Sequence, residues 1–115
     1  MTTMRFIETP FFIKQINKFG STEILNAIKK ELAEYPERGD VIQGTKGARK
    51  GRIANPAKGK GKRGGFRYIY AFFIHADSIV LLHFYSKGKK DDLTQDEKTM
   101  LSEIIVEIRK TLEGK

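Results

Sequence analysis

Side chains that can bind phosphate are concentrated in one stretch of the sequence. Between Arg38 and Arg67 there are ten lysines and arginines against a single acid, Asp40, so this stretch has a net charge of +9. The remaining residues carry 12 basic and 13 acidic side chains and are close to neutral. A positive field focused in this way raises the local concentration of a polyanion and speeds its capture. We therefore expect the ligand to be a nucleic acid.

The basic residues fall on predicted elements of different rigidity. The run 48–54 is predicted to be a strand, whereas the segment 56–65, PAKGKGKRGG, is predicted to be a loop because glycine is conformationally free and like charges repel. The residues that we expect to bind RNA are Arg49, Lys50, Arg52, Lys58, Lys60, Lys62 and Arg63. An alternative interpretation is that the loop is solvated and binds nucleic acid without specificity.

A second group of residues is suited to phosphate stabilisation and proton transfer. Arg67 begins a predicted strand, His83 and Tyr85 stand near the end of the next one, and Lys87 and Lys89 follow in the loop SKGKKDD. In a small antiparallel sheet one end can bring together Arg67, the pair Arg49 and Arg52 of the preceding strand, and the pair Lys87 and Lys89, which predicts a cationic concavity. A lone histidine on a strand is more often structural than catalytic, so both roles stay open for His83. A lysine crowded by positive charge is also able to act as a base.

The elements that must position these residues begin with a short edge strand, predicted at residues 5–8, and two helices. Thr9 is an N-cap before a proline, and this combination starts a helix that we expect to run to Phe19. Ser21 starts a second helix, which Pro36 ends. Since a glycine turn joins the two helices, they are predicted to form an antiparallel hairpin that covers one face of a sheet.

The aromatic and β-branched runs 66–74 and 78–85 are predicted to be neighbouring strands joined by a hairpin turn at residues 75–77. On the first strand, alternation assigns one face to Arg67, Ile69, Ala71 and Phe73. On the second strand, it assigns one face to Val80, Leu82 and Phe84 and the other to Ile79, Leu81, His83 and Tyr85.

A last helix is predicted after a capping box formed by Thr94 and Glu97. Its apolar stripe is expected to pack on the sheet or on a partner, and it consists of Met100, Leu101, Ile104, Ile105, Ile108 and Leu112. The element order β-α-α-β-β-β-α predicts an α+β fold, with a small, mainly antiparallel sheet of about four strands, an N-terminal helical hairpin and a C-terminal helix. We expect one domain spanning residues 1–115.

The composition excludes several classes of function. There is no cysteine, which excludes disulfide and thiolate chemistry. With only His75 and His83 available and no His/Asp/Glu cluster at ligand spacing, we expect neither a metal nor a cofactor. No apolar run approaches the ~20 residues of a membrane span or resembles a signal peptide, so a cytoplasmic location is expected. No predicted helix carries the basic stripe of a DNA-recognition helix.

Two stretches of the sequence resemble the RelE superfamily, the toxins of bacterial toxin–antitoxin pairs. GDVIQGTKGARKGRIANPAKGKGKRGGFRYIYAFF and LLHFYSKGKKDDLT look most similar to the HigB-type branch. That branch has a GD-VI-GTGG-RK-R stretch, a KGKRGG-RIIY stretch and a Y-K-DL stretch at comparable spacings. The specific resemblance covers roughly residues 35–95, and the order of elements extends it to the rest of the chain.

The resemblance implies an mRNA interferase, a ribosome-dependent endoribonuclease that cuts translated messages by metal-independent attack of the RNA 2′-OH on the adjacent phosphate. Arg67 matches the phosphate-stabilising arginine that opens the corresponding strand in RelE-type toxins. Arg49 and Arg52 match basic positions of the preceding strand, and Lys87 matches the lysine after the last strand. Lys89 stands where RelE-type toxins have an arginine nearby, and lysine cannot grip phosphate bidentately.

The C-terminal tail departs from the family pattern. RKTLEGK lacks the tyrosine or histidine that several members use as acid or base, so we expect His83, Tyr85 or a lysine to take that role. The implied partners are mRNA on the ribosome and an antitoxin, in this branch a HigA-like helix-turn-helix protein that covers the basic face or an exposed helix. The alternative function is a non-enzymatic RNA- or ribosome-binding module that uses the same cationic face.

Overall fold

A computed structural model describes residues 3–55, 65–86 and 92–114. The strands are β1 (Arg5–Glu8), β2 (Asp40–Val41), β3 (Ala48–Ile53), β4 (Phe66–Phe73) and β5 (Ser78–Ser86), and the helices are α1 (Pro10–Phe19), α2 (Thr22–Glu34) and α3 (Gln95–Glu113). No helix in the described ranges is long and apolar enough to cross a membrane.

The five strands form one sheet in the order β1-β5-β4-β3-β2. The edge strand β1 runs parallel to β5, and the other neighbours are antiparallel. The predicted α+β class is therefore confirmed. The sheet has five strands instead of about four because Asp40 and Val41, for which no strand was predicted, pair with Lys50 and Arg49 of β3.

The helical hairpin covers one face of the sheet, as predicted. Thr9 and Ser21 are the N-caps of the two helices, since their hydroxyl oxygens accept hydrogen bonds from the backbone N–H groups of Phe12 (3.3 Å) and Ile24 (3.2 Å). Apolar side chains of both helices pack against the aromatic face of β4. The buried cluster includes Phe12, Ile16, Ile24, Ile28, Leu32, Phe66, Tyr68 and Tyr70.

Helix α3 covers the opposite face. Its predicted capping box is present, because Thr94 and Glu97 each accept a hydrogen bond from the other's backbone N–H. From its apolar stripe, Ile105 is fully buried against Ile69, Ala71, Phe73 and Val80 of the sheet, with Leu101, Ile108 and Leu112 packed around it. Met100 and Ile104 from the same stripe are exposed. The buried part of the stripe holds α3 against the sheet.

A bulge in β5 changes which side chains share a face. His83 lies opposite Ile69 and Leu81 lies opposite Tyr70, so Leu82 is an extra residue in β5. After the bulge the alternation is shifted. Phe84 consequently packs with Ile79 and Leu81 on the hairpin face, and Tyr85 packs with Val80 and Leu82 on the α3 face. The faces predicted for β5 by strict alternation were wrong for this reason.

Tyr68 and Tyr70 are buried between the sheet and the hairpin, and burial raises the pKa of both phenols above the ordinary value of 10.0. For Tyr68 the nearby Glu31 carboxylate, 3.4 Å from the hydroxyl, adds to the effect. The unfolded chain therefore ionises first as the pH rises through about 10. The stability that the neutral phenols provide is present below that pH. It is lost as the pH rises towards the pKa values of the two phenols in the folded protein.

We therefore predict that the free energy of unfolding falls more steeply above pH 10 in the wild type than in Tyr68→Phe. The expected difference in slope is up to about 1.4 kcal/mol per pH unit, measured by urea unfolding between pH 8 and pH 11. Tyr35 is exposed, so Tyr35→Phe is the matched control and should keep the wild-type slope. Equal slopes for all three proteins would contradict the prediction.

Candidate nucleic-acid interface

Two rows of side chains cross β3, β4 and β5 on the face that carries α3. In the first row, Arg52 lies opposite Arg67 and Arg67 lies opposite Tyr85. In the second, Ile69 lies opposite both Lys50 and His83. Residues directly opposite each other in antiparallel strands project to the same face with Cα atoms about 4.5–5.5 Å apart. These two rows, named here the cationic rows, bring together five of the residues singled out in the sequence: Lys50, Arg52, Arg67, His83 and Tyr85.

The two arginines of the first row differ in burial. Arg52 is exposed, whereas Arg67 is 5% exposed and its guanidinium donates a hydrogen bond to the Phe66 carbonyl oxygen (3.3 Å). An arginine keeps its charge even when it is buried. Because like charges directly opposite each other on a sheet repel, this pair favours an anion above it. Arg67 thus supplies a buried positive charge beside the solvent-facing charge of Arg52.

Lys50 connects the second row to the segment that precedes α3. Its Nζ lies 3.4 Å from the Asp92 carboxylate, which is largely exposed. An exposed ion pair of this kind contributes little stability and is screened by salt. An anion can therefore displace Asp92 from Lys50 at small cost.

Arg49 lies on the other face of β3. Its guanidinium donates hydrogen bonds to the carbonyl oxygens of Glu37 (2.9 Å) and Gly39 (2.8 Å), and it pairs with the Glu37 carboxylate at 3.7 Å. The sequence groups Arg49 with Arg52, but the structure places the two arginines on opposite faces. In this position Arg49 holds the turn between α2 and β2.

Side chains of α1 and β5 hold the His83 ring. It stacks on Phe11 of α1 (centroids 5.1 Å apart) and on Tyr85 (4.9 Å), and its Nδ1 lies 2.6 Å from the Gln15 side-chain oxygen. Sequence reasoning missed Phe11 and Gln15, since they lie about 70 positions before His83 and carry no motif. Their spacing of four residues along a helix was the available signal, because it places both on one side of α1.

Six predicted site residues lie outside the described residues. They are Lys58, Lys60, Lys62, Arg63, Lys87 and Lys89. In the sequence, Arg67 follows the first of these two segments closely and Tyr85 precedes the second. Within the described ranges, no three His, Asp or Glu side chains come together in a way that can hold a metal ion.

An apolar cavity of about 520 Å³ borders the second row. It lies between the start of α1, β5 and the first half of α3, and His83 and Leu82 form part of its wall. Phe11, Met100 and Ile104, which also line it, are exposed. One side of the cationic rows therefore continues into an apolar surface.

The arrangement is suited to binding RNA phosphate beside a group that can move a proton. Positive charges such as those of Lys50, Arg52 and Arg67 can stabilise a phosphate whose negative charge grows in a transition state. His83 and Tyr85 stand in the same two rows and carry exchangeable protons. The aromatic pair Tyr68 and Tyr70 faces the hairpin and belongs to the core, so it is not part of this surface.

No known protein-family description matches the sequence. Among solved structures, the chain is similar to the Escherichia coli toxin RelE, determined in the free state as a mutant with two arginines replaced by alanine. The match has a TM-score of 0.55 at 14% sequence identity, and it covers 78% of this chain and 90% of that one. This similarity establishes a RelE-like fold.

Proposed function

We propose that this protein is the toxin of a type II toxin–antitoxin system of the HigB branch, acting as a ribosome-dependent endoribonuclease on mRNA. The observation that carries the proposal is the juxtaposition of Lys50, Arg52 and Arg67 with His83 and Tyr85 on one face of three adjacent strands. The RelE-like fold and the sequence resemblance over residues 35–95 support it.

In the proposed reaction, the RNA 2′-OH attacks the adjacent phosphorus and the bond to the 5′-oxygen breaks, giving a cyclic phosphate and a 5′-OH. Arg52 contacts the phosphate, while its buried neighbour Arg67 stabilises the growing charge in a site of reduced dielectric constant. His83 or Tyr85 exchanges protons with the two oxygens. The resemblance assigns Lys87 and Lys89 a supporting role in the same step.

The proposed partner is an antitoxin of the HigA-like, helix-turn-helix type. An antitoxin segment with acidic residues complements the cationic rows, and apolar residues beside them fit the adjoining cavity lined by Phe11, Met100 and Ile104. Such a segment would prevent RNA from binding. We expect co-expression of the protein encoded beside this chain to relieve toxicity.

Arg52→Ala and Arg49→Ala test the proposed face with the same change in charge. After controlled induction in a bacterial host, we expect the wild type to arrest growth and to cut an abundant message at in-frame positions seen by primer extension. Arg52→Ala should reduce cutting about tenfold or more, because it removes a phosphate contact. Arg49→Ala should cut within about threefold of the wild type at equal soluble protein, because Arg49 faces the hairpin.

The other outcomes distinguish the competing functions. Growth arrest without cuts would support the non-enzymatic ribosome-binding module, for which both substitutions should weaken binding in proportion to charge and with strong salt dependence. Equal loss of cutting in both variants would contradict the assignment of the face. No arrest by the wild type, in a host that tolerates the co-expressed pair, would contradict the toxin function.

A further inference from the structure

The side-chain oxygen of Gln15 lies within hydrogen-bond distance of two nitrogen atoms of β5, the backbone nitrogen of Phe84 and Nδ1 of His83. The first of these contacts fixes the orientation of the amide. The backbone N–H of Phe84 donates a hydrogen bond to Gln15 Oε1 over 3.0 Å. A backbone N–H is only a donor, so the Gln15 atom that faces it must be the carbonyl oxygen and not the amide nitrogen. The usual ambiguity in the orientation of a glutamine amide is thereby removed.

The same oxygen determines where the proton lies on His83. Nδ1 of His83 is 2.6 Å from Gln15 Oε1. Two acceptors at that distance repel, so Nδ1 must carry a hydrogen and donate it to the oxygen. In the neutral ring the other nitrogen, Nε2, then carries the lone pair and accepts protons.

The ring is also held in place by its other contacts. Phe11 and Tyr85 stack against it, and Ile69 separates it from Lys50 in the second cationic row. The bulge at Leu82 places the ring on this side of the sheet by shifting the alternation of β5. His83 is therefore oriented by α1 and β5 together, next to the charges proposed to hold phosphate.

We propose that Gln15 is a positioning residue, which fixes neutral His83 as the Nδ1–H tautomer so that Nε2 is the general base of the cleavage reaction. This inference rests on the proposed function. As the bond between the 2′-oxygen and phosphorus forms, the proton of the 2′-OH moves to Nε2. The bond to the 5′-oxygen breaks, and that oxygen takes a proton from a second group or from water. His83 then returns its proton to solvent.

The charged and titratable groups around His83 come from several elements. On its own strand the neighbour is Tyr85, while β3 contributes Lys50 and β4 contributes Arg67. Helix α3 contributes Glu97, which lines the same cavity. Helix α1 faces the ring with Phe11 and Gln15, both uncharged. Apart from Gln15 itself, these groups are the same in the wild type and in every Gln15 variant.

The tautomer can be measured without any cleavage assay. In uniformly ¹⁵N-labelled protein, two-bond ¹H–¹⁵N correlation spectra distinguish Nδ1–H from Nε2–H rings at a pH where histidine is neutral. The chain has two histidines, and His83→Gln assigns their signals. We expect the Nδ1–H pattern for His83 in the wild type and a shift towards Nε2–H in Gln15→Met. His75, which lies at the turn before β5, should be unchanged in every spectrum.

Gln15→Glu is the conservative variant, because a carboxylate also accepts from both nitrogens. It should keep the Nδ1–H pattern and raise the pH midpoint of His83 titration by about one unit or more, since an adjacent negative charge favours the protonated ring. The pH dependence of cleavage should move in the same direction. Gln15→Met should lower kcat by about 10- to 100-fold with KM within about twofold, whereas Asn17→Met on the exposed side of α1 should have no effect.

An Nε2–H ring in the wild type would overturn the inference, and so would an unchanged tautomer in Gln15→Met. If Gln15→Met does not fold, the wild-type and Gln15→Glu spectra decide the question. An Nδ1–H ring in a wild-type protein that cuts no message would instead contradict the proposed function and the role of His83 as a base. A Gln15→Met protein with the wild-type pH profile would show that Gln15 is merely structural.

Discussion

Replacing Arg67 with alanine is expected to lower the rate of mRNA cleavage by about 100-fold or more. The side chain is 5% exposed and lies directly between Arg52 and Tyr85 in the first cationic row. A charge held in a protein interior needs no reorganisation when negative charge develops nearby, so it stabilises a transition state more than a solvated lysine does. Single-turnover cleavage of a ribosome-bound message measures the loss. RNA binding at low salt should stay within a few-fold, because many other basic residues contribute to it.

Two further substitutions separate the charge of Arg67 from its packing. Lysine and methionine are of similar length, and lysine alone keeps the positive charge. If charge is what matters, Arg67→Lys should cut at least about tenfold faster than Arg67→Met, with urea unfolding used to show that both proteins are folded. Equal rates for the two variants would mean that Arg67 acts only by supporting the sheet, and the proposed role in catalysis would be rejected.

Replacing Gly51 with alanine is expected to lower the free energy of unfolding by about 2–3 kcal/mol. Gly51 lies between Lys50 and Arg52 on β3, and its Cα hydrogen faces the ring of Tyr68, which is its partner on β4. A methyl group added there would overlap the phenol ring of Tyr68. That ring is buried under the hairpin and has little room to move, so either β3 or the core must shift. The free energy of unfolding in urea measures the effect.

A double substitution shows whether the cost comes from this contact. In a Tyr68→Leu background the ring is absent, so Gly51→Ala should cost less than about 0.5 kcal/mol there, a large departure from additivity. Arg52→Ala, on the exposed side of the same strand, is the control and should change stability by no more than about 0.5 kcal/mol. A cost at position 51 that is the same in both backgrounds would mean that Tyr68 is not its cause.

The local signals in the sequence were sufficient for most of the elements. Thr9, Ser21 and Thr94 precede the helices that they cap, because an N-cap hydroxyl satisfies backbone N–H groups within the same turn. The apolar alternation of β4 also predicted its two faces correctly, since every residue from Phe66 to Phe73 is paired regularly with β3 or β5 apart from the step next to the bulge. Both signals, the cap residue and the alternation along a strand, can be read from a few neighbouring positions of the chain.

The sequence did not predict the faces of β5 or the edge strand β2, because both depend on pairing between distant parts of the chain. The extra residue Leu82 has no turn or glycine signal, and its effect on Phe84 and Tyr85 is visible only once the register with β4 is known. The pairing of Asp40 and Val41 with β3 likewise follows from the position of the turn that Arg49 and the Tyr70 hydroxyl hold. A two-residue strand is too short to give a periodic pattern.

For the candidate site, the sequence by itself determined which residue types were available and that the positive charge is concentrated between Arg38 and Arg67, because composition and order need no fold. Only the tertiary structure decided which of them share a surface. It separated Arg49 from Arg52, and it aligned Arg67 with Tyr85 and Lys50 with His83. It also brought Gln15 of α1 against His83. These relations are set by strand register and helix packing, which join residues that lie far apart in the chain.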